Sequence, residues 1–366
     1  MSKLRELHDQ AGQSPWLDNL RRDLINNGEL AGWVDRGVRG VTSNPSIFQK
    51  AIAGAADYDQ QFSELMGRGL SVPDAYWELV VTDIENALTI LRPVHDSSDG
   101  VDGYVSVEVA PSLARDTEGT TTAAMDLHGR IDEPNLYVKI PGTAEGLTAI
   151  RNVIAQGRSV NVTLLFALER YDEVIEAYLS GLEAVDGPLG SISSVASFFV
   201  SRVDVEVDKR LEAIGSEAAL KLRGRAAVAN AQLAYGLFLE RFAGPRWDAL
   251  AARGARVQRP LWASTSIKNP DYAETLYVDT LIAPDTVNTM PEGTLDAFDE
   301  RGTVARTADA DLDGARRVLD ELAAVGIDLA DVTRVLEDEG VAAFEKSFDE
   351  LIATLDEKAS NLEGRG

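Results

Sequence analysis

Cysteine is missing altogether from the 366 residues, which excludes disulfide bonds, thiolate catalysis and cysteine-ligated zinc. Histidine is nearly as scarce. His8, His95 and His128 share no metal-ligand spacing, and neither a P-loop nor a G-x-G-x-x-G fingerprint occurs. No uninterrupted apolar run could span a bilayer, and no basic start followed by an apolar stretch reads as a secretion signal. The expectation is therefore a cytoplasmic protein. Positive charge is also in short supply: 35 Lys and Arg against 60 Asp and Glu leave a net charge of −25. Such a chain is ill suited to nucleic acid or an anionic membrane. An anionic small-molecule substrate would need a local cationic site.

What the chain does have is apolar material, 45% of its residues, enough for a large core. Short apolar runs recur near 15–18, 38–44, 104–109, 136–140, 159–164, 194–200, 259–264 and 284–289. Helical patterns fill most of the gaps, most clearly over 57–68, 73–91, 143–155, 166–182, 216–242, 311–325 and 328–357. Eight β-then-α units predict a (β/α)8 TIM barrel rather than an open sheet. With no obvious linker, the whole of 1–366 reads as one domain. Its barrel core runs over roughly 13–310 and a helical extension over 311–366.

Within strands, residues two apart share a face. Val105, Val107 and Val109 oppose Tyr104, Ser106 and Glu108; Leu136, Val138 and Ile140 oppose Tyr137 and Lys139; Val160, Val162 and Leu164 oppose Asn161 and Thr163. If the aliphatic face meets the helices, the polar face points into the barrel. Nearly every C-terminal strand end then offers a polar group: Asp18, Asn44, Glu108, Lys139, Thr163, Ser197 and Ser264. Enzymes on this fold place their chemistry at that end. Lys139, in Leu136-Tyr137-Val138-Lys139-Ile140-Pro141-Gly142, is the most telling of them. By itself the segment reads as a paired lysine at a strand end. Among converging polar groups it reads as a desolvated amine, able to form a Schiff base with a ketone.

Two signatures in order along the chain, Gly40-Val41-Thr42-Ser43-Asn44-Pro45-Ser46 and the Lys139 strand continued to Thr143, resemble the transaldolase family in its longer bacterial form. Trp16-Leu17-Asp18, Val107-Glu108-Val109, Asn161-Val162-Thr163, Ser197 to Arg202, Trp262 to Asn269 and Asn288 to Pro291 extend the likeness over roughly the whole barrel. The resemblance implies transfer of a three-carbon dihydroxyacetone unit between ketose and aldose phosphates. In that family sedoheptulose 7-phosphate and glyceraldehyde 3-phosphate exchange with erythrose 4-phosphate and fructose 6-phosphate, in the non-oxidative pentose phosphate pathway. It also implies that no metal or organic cofactor takes part, and leaves monomer and homodimer both open. Position by position, Lys139 would form the imine and Asp18 would move the C4 hydroxyl proton. Glu108 and Thr163 would orient a water beside the lysine. Asn44, Ser197 and Thr42 would hold donor hydroxyls. Arg202, Lys268 and Ser266 would bind phosphate. Lys268 departs from the arginine that many family members carry, replacing a planar fork with a point charge.

Plainer readings stand beside these. Asp18 could cap a helix beginning near Asn19, Glu108 could serve only as a salt bridge to Lys139 or Arg202, and Asn44-Pro45 could simply start a turn. Arg202 could be a solvated residue at a helix start near Asp204, and Lys268-Asn269-Pro270 an ordinary surface loop. Asp309, Asp311 and Asp313 imitate half of a calcium loop, but Asp320 stands where that loop needs glutamate, so an acidic first helical turn explains them better. Lys221 to Arg225 reads as a solvated helix face, and Asn161-Val162-Thr163 as strand rather than glycosylation acceptor. A fructose 6-phosphate aldolase and a non-catalytic sugar-phosphate-binding barrel remain as competing functions. The chain length and Glu108 favour the transferase, and the set Asp18, Glu108, Lys139 argues against a mere binder.

Overall fold

The computed structural model describes residues 2–363, and eight strands set its plan. They are β1 (Gln13–Leu17), β2 (Gly40–Thr42), β3 (Tyr104–Glu108), β4 (Leu136–Pro141), β5 (Val160–Leu165), β6 (Ser194–Phe199), β7 (Arg259–Ala263) and β8 (Thr286–Met290). All pair in parallel and in sequence order, and β8 returns to β1 to close the barrel. This is the expected (β/α)8 architecture with additional helices, each strand within two residues of its predicted place.

The inferred register holds. Glu108 lies beside Lys139 and Lys139 beside Asn161 across the ladder, so all three point inward. Below them Tyr104 and Tyr137 stack at 4.0 Å, and the Trp16 indole lies 6.1 Å from Tyr137. β2 begins with Gly40 because a methyl group there would sit 2.4 Å from that indole.

The N-terminal mouth is closed by charge. Asp102, fully buried, accepts hydrogen bonds from Ser14 at 2.8 Å, Arg39 at 2.7 Å and Arg259 at 3.0 Å. Trp16 adds a longer one at 3.4 Å. Arg259 in turn donates to Ser14 Oγ and to the Thr286 carbonyl. These bonds tie the starts of β1, β7 and β8 to the loops before β2 and β3.

The helices departed further from expectation. Ser201–Ile214 has the helix start read near Asp204, although Val203-Asp204-Val205-Glu206-Val207-Asp208 alternates as a strand would. Burying Val203, Val207 and Leu211, four apart, outweighs the β-preference of valine and leaves Val205 exposed. The single helix expected over 216–242 is two, Glu217–Leu220 and Ala226–Arg241, parted at Gly224, whose φ of +70° suits glycine. Val72–Ser97 runs on past the expected end at 91 with Pro93 inside it. That proline and Thr89, whose carbonyl loses its amide partner, both face solvent. Asp311 caps Leu312–Ala324 through the Gly314 amide, while Asp309 and Asp313 pair with Arg306 and Arg316. The acidic run is thus a helix start.

The C-terminal helix Leu329–Glu363 packs on the carboxyl mouth, against Pro45–Gly54, Val72–Ser97, Ser201–Ile214 and β5. Among the described residues no helix is long and apolar enough to cross a membrane.

Candidate active site

A cleft of about 190 Å³ opens at the carboxyl ends of the strands. It is lined by Asp18, Thr42, Asn44, Lys139, Thr163, Ser197, Arg202, Ser266 and Lys268, nine of the ten residues singled out from sequence. The tenth, Glu108, faces a smaller cavity directly behind, with Asn44, Tyr76 and Phe348.

Lys139 stands on the cleft floor, 5% exposed, because β4 turns it inward near the end of the strand. Its Nζ lies 3.2 Å from Glu108 Oε2 and donates to the Ser43 carbonyl at 3.1 Å. The plain reading of Glu108 as a salt-bridge partner is therefore correct as far as it goes. Apart from that ion pair, neither Glu108 oxygen has a hydrogen-bond partner among the described residues, and Thr163 Oγ1 has none either. Burial pushes the Glu108 carboxyl above its usual range, against the pull of Lys139 and Arg202. Unpartnered buried polar atoms are costly, and Glu108 and Thr163 bring three of them to the cleft floor around one amine.

Asp18 follows β1, its amide held by the Met290 carbonyl at 2.9 Å. It caps nothing, for the next helix starts at Arg22 with Arg21 at the cap position. One carboxylate oxygen accepts from Thr42 at 2.8 Å. Since the Thr42 hydroxyl spends its proton there, Thr289, 2.7 Å away, is the donor to Thr42. Burial raises the Asp18 carboxyl, and Lys139, Thr42, Arg202 and Lys268 pull it back. Asn44 does start a helix: its Oδ1 accepts the Ile47 amide at 2.9 Å and caps Pro45–Gly54. That leaves its side-chain amide for the cleft. Ser197 donates to Asn161 Oδ1 at 2.7 Å, and Asn161 donates to Ser106 at 3.0 Å. Ser197 therefore offers the cleft only acceptor lone pairs.

At the rim, Arg202 is the second residue of the Ser201–Ile214 helix and lies 5.2 Å over the Phe199 ring. Among the described residues it has no ion-pair partner. The nearby Asp204 is engaged elsewhere, by the Ala227 amide and the Tyr277 hydroxyl. Lys268, exposed, donates to Ser266 Oγ at 2.7 Å. Two cations thus edge the cleft of a chain with net charge −25.

Four contributors escaped the sequence reading of the site. Strand alternation places Asn161 on the inward face beside Thr163 but gives it no role, and Phe199, on the face of Ser197, could have been found by the same alternation. Thr289 lies on β8 in the same way, and the expected 284–289 strand ended on it. Phe344, which lines the cleft from the C-terminal helix, has no local signal at all.

Fold and cleft together define a (β/α)8 barrel with an enzyme-type site at its carboxyl mouth. The pattern of the Transaldolase/Fructose-6-phosphate aldolase family matches residues 15–355. A transaldolase of Saccharopolyspora erythraea is 54% identical over 365 residues, covering 98% of each chain. Those of Mycolicibacterium paratuberculosis and Thermobifida fusca are 54% identical over 348 residues and 52% over 356, covering 93% and 96% of each chain. The chain belongs to the transaldolase/fructose-6-phosphate aldolase family.

Proposed function

We propose that this protein is a transaldolase, moving a dihydroxyacetone unit from sedoheptulose 7-phosphate or fructose 6-phosphate to an aldose phosphate in the non-oxidative pentose phosphate pathway. The observation that carries the reading is the Lys139 amine, buried 3.2 Å from Glu108 on the floor of a cleft with Arg202 and Lys268 at its rim.

In this reading Lys139 passes a proton to Glu108 and adds, as the free amine, to the donor C2 carbonyl to give a carbinolamine. Glu108 protonates the departing hydroxyl, and water leaves to form the protonated imine. A water held by Glu108 and Thr163 fits their unpartnered atoms and relays the proton. The imine accepts the electrons of the C3–C4 bond while Asp18 takes the C4 hydroxyl proton. An aldose phosphate departs, and the three-carbon enamine stays on Lys139. Its C3 then attacks the acceptor aldehyde, Asp18 returns the proton, and hydrolysis of the imine frees the new ketose. Asn44, Ser197 and Thr42 hold donor hydroxyls so that C2 faces the amine. Arg202, Lys268 and Ser266 take the phosphate. The imine is itself the electron sink, so the mechanism requires no metal or organic cofactor. The catalytic unit is the whole chain, acting in the cytoplasm as monomer or homodimer on free sugar phosphates, without nucleic acid or membrane.

The test is borohydride trapping with fructose 6-phosphate, read by intact mass and peptide mapping. A three-carbon adduct on Lys139 is expected, and erythrose 4-phosphate should discharge it before reduction. A folded protein giving no adduct, or one on another lysine, would overturn the assignment. Rapid turnover of fructose 6-phosphate with no aldose acceptor would point instead to an aldolase.

A further inference from the structure

The cations at the cleft rim come from different elements: Arg202 from the helix Ser201–Ile214, and Lys268 from the segment between β7 and the short helix Leu276–Asp279. An exposed lysine on an irregular segment is a poor phosphate ligand unless something fixes that segment. Four hydrogen bonds fix it, all to the helix that carries Arg202. Ser264, at φ +56°, is joined to Ser201 both by a Ser201 amide bond at 2.9 Å and by a hydroxyl contact at 2.9 Å. The Tyr272 hydroxyl donates to Asp208 Oδ2 at 2.5 Å. The Tyr277 hydroxyl donates to Asp204 Oδ2 at 2.7 Å. Both carboxylates are buried, and their other oxygens receive backbone amides, Gly224 at 2.9 Å and Ala227 at 2.8 Å. The Tyr272 ring lies against Gly224, where a methyl group would come within 2.7 Å of it. Lys268 thus sits between two fastened points, Ser264 and Tyr272. It borders both the cleft and a second pocket lined by Asp204, Asp208, Tyr272 and Tyr277.

From this arrangement we infer that Asp208 and Tyr272 are positioning residues for phosphate recognition, holding Lys268 at a fixed distance from Arg202. The inference rests on the phosphate role given to Lys268 above. Neither residue lines the cleft, so each acts only through the segment it clamps. The clamp gives the acidic helix face a use beyond solubility. Two of its carboxylates spend their charge on the segment that presents a cation.

The test is steady-state kinetics of Tyr272→Phe, which keeps the ring against Gly224 and removes only the donated proton. Asp208→Asn serves as a second variant. KM for fructose 6-phosphate should rise about fivefold, with kcat within about twofold of the parent. The rate with an unphosphorylated donor, dihydroxyacetone, should not change. Placed on a Lys268→Ala background, Tyr272→Phe should add nothing, because its only route to the substrate is already gone. A loss in the Lys268→Ala background equal to that in the parent would overturn the inference, as would equal losses with dihydroxyacetone and with fructose 6-phosphate. If Lys268→Ala raises KM and Tyr272→Phe does not, the clamp fails while the phosphate reading stands. If Lys268→Ala leaves the fructose 6-phosphate KM unchanged, both fall together, and the trapping experiment still reports separately on Lys139.

Discussion

Each mouth of this barrel buries a carboxylate, and the two are treated in opposite ways. At the N-terminal mouth Asp102 has both oxygens paired, to Arg39, Arg259 and Ser14. Burial alone would raise its carboxyl, but Arg259 and Arg39 hold it below the usual range. At the carboxyl mouth Glu108 is buried to a similar degree, has one cation partner, and is pushed up. The first is a staple, since a buried carboxylate with both oxygens paired fixes the elements that meet there. The second is under-satisfied, and a proton moves easily on such a group. The fold can bear the second because the first, with the stacked Trp16, Tyr104 and Tyr137 above it, already sets the barrel.

The comparison breaks most sharply if chemistry and stability fail to separate. Lys139→Met combined with Glu108→Gln should abolish turnover, a loss of about 10⁴-fold or more. The same protein should unfold at no lower denaturant concentration than the parent, because replacing a buried ion pair by neutral groups is often neutral or stabilising. A double variant that is dead and also much less stable would make the pair structural. Glu108→Gln alone should slow imine formation by about 10² to 10³-fold while phosphate-ester binding changes little. Equal losses of both would remove Glu108 from the chemistry. At the other mouth, Asp102→Asn leaves Arg39 and Arg259 without a counter-charge and should cost about 3 kcal/mol in denaturant unfolding. Its kcat should stay within about twofold of the parent, and a large fall in kcat would mean that the mouths are coupled.

Most of the barrel was legible because strand alternation is local. A polar residue at every second place, ending in a turn, already separates the inward from the outward face, so Glu108, Lys139 and Thr163 could be placed before any coordinates. What could not be read was whatever depended on partners distant in sequence. Asp18 looked like a helix cap and is none, because the chain stays irregular until Arg22. The Asp102 staple draws on residues 14, 39 and 259, none with a motif of its own. Phe344 reaches the cleft from a helix that begins about 40 residues after β8 ends, a distance over which no periodicity speaks.

Acidity sharpens the contrast with the smallest effect. In the proposed mechanism Asp18 must be ionised to take the C4 proton, and burial raises its carboxyl above the ordinary 3.8. Activity should therefore fall as pH drops through that raised value. Lys268 is among the charges that favour the Asp18 carboxylate. Lys268→Ala should thus move the acid limb of kcat/KM upward, and only slightly, because an exposed charge is screened. Added salt should shrink the displacement. Stability should run the other way in the same window. A carboxyl raised in the native state binds more protons folded than unfolded, so the Asp18 contribution weakens as pH rises from 3.8 through the raised value. Asp102, depressed in the native state, gives stability that is present above 3.8 and lost as pH falls through its folded value. The expected record is therefore a pH–rate limb that Lys268→Ala displaces and an acid-unfolding limb that Asp102→Asn displaces far more than Lys268→Ala does. An acid limb of kcat/KM that stays put, or moves down, would show that Asp18 is not the group that titrates in the free enzyme.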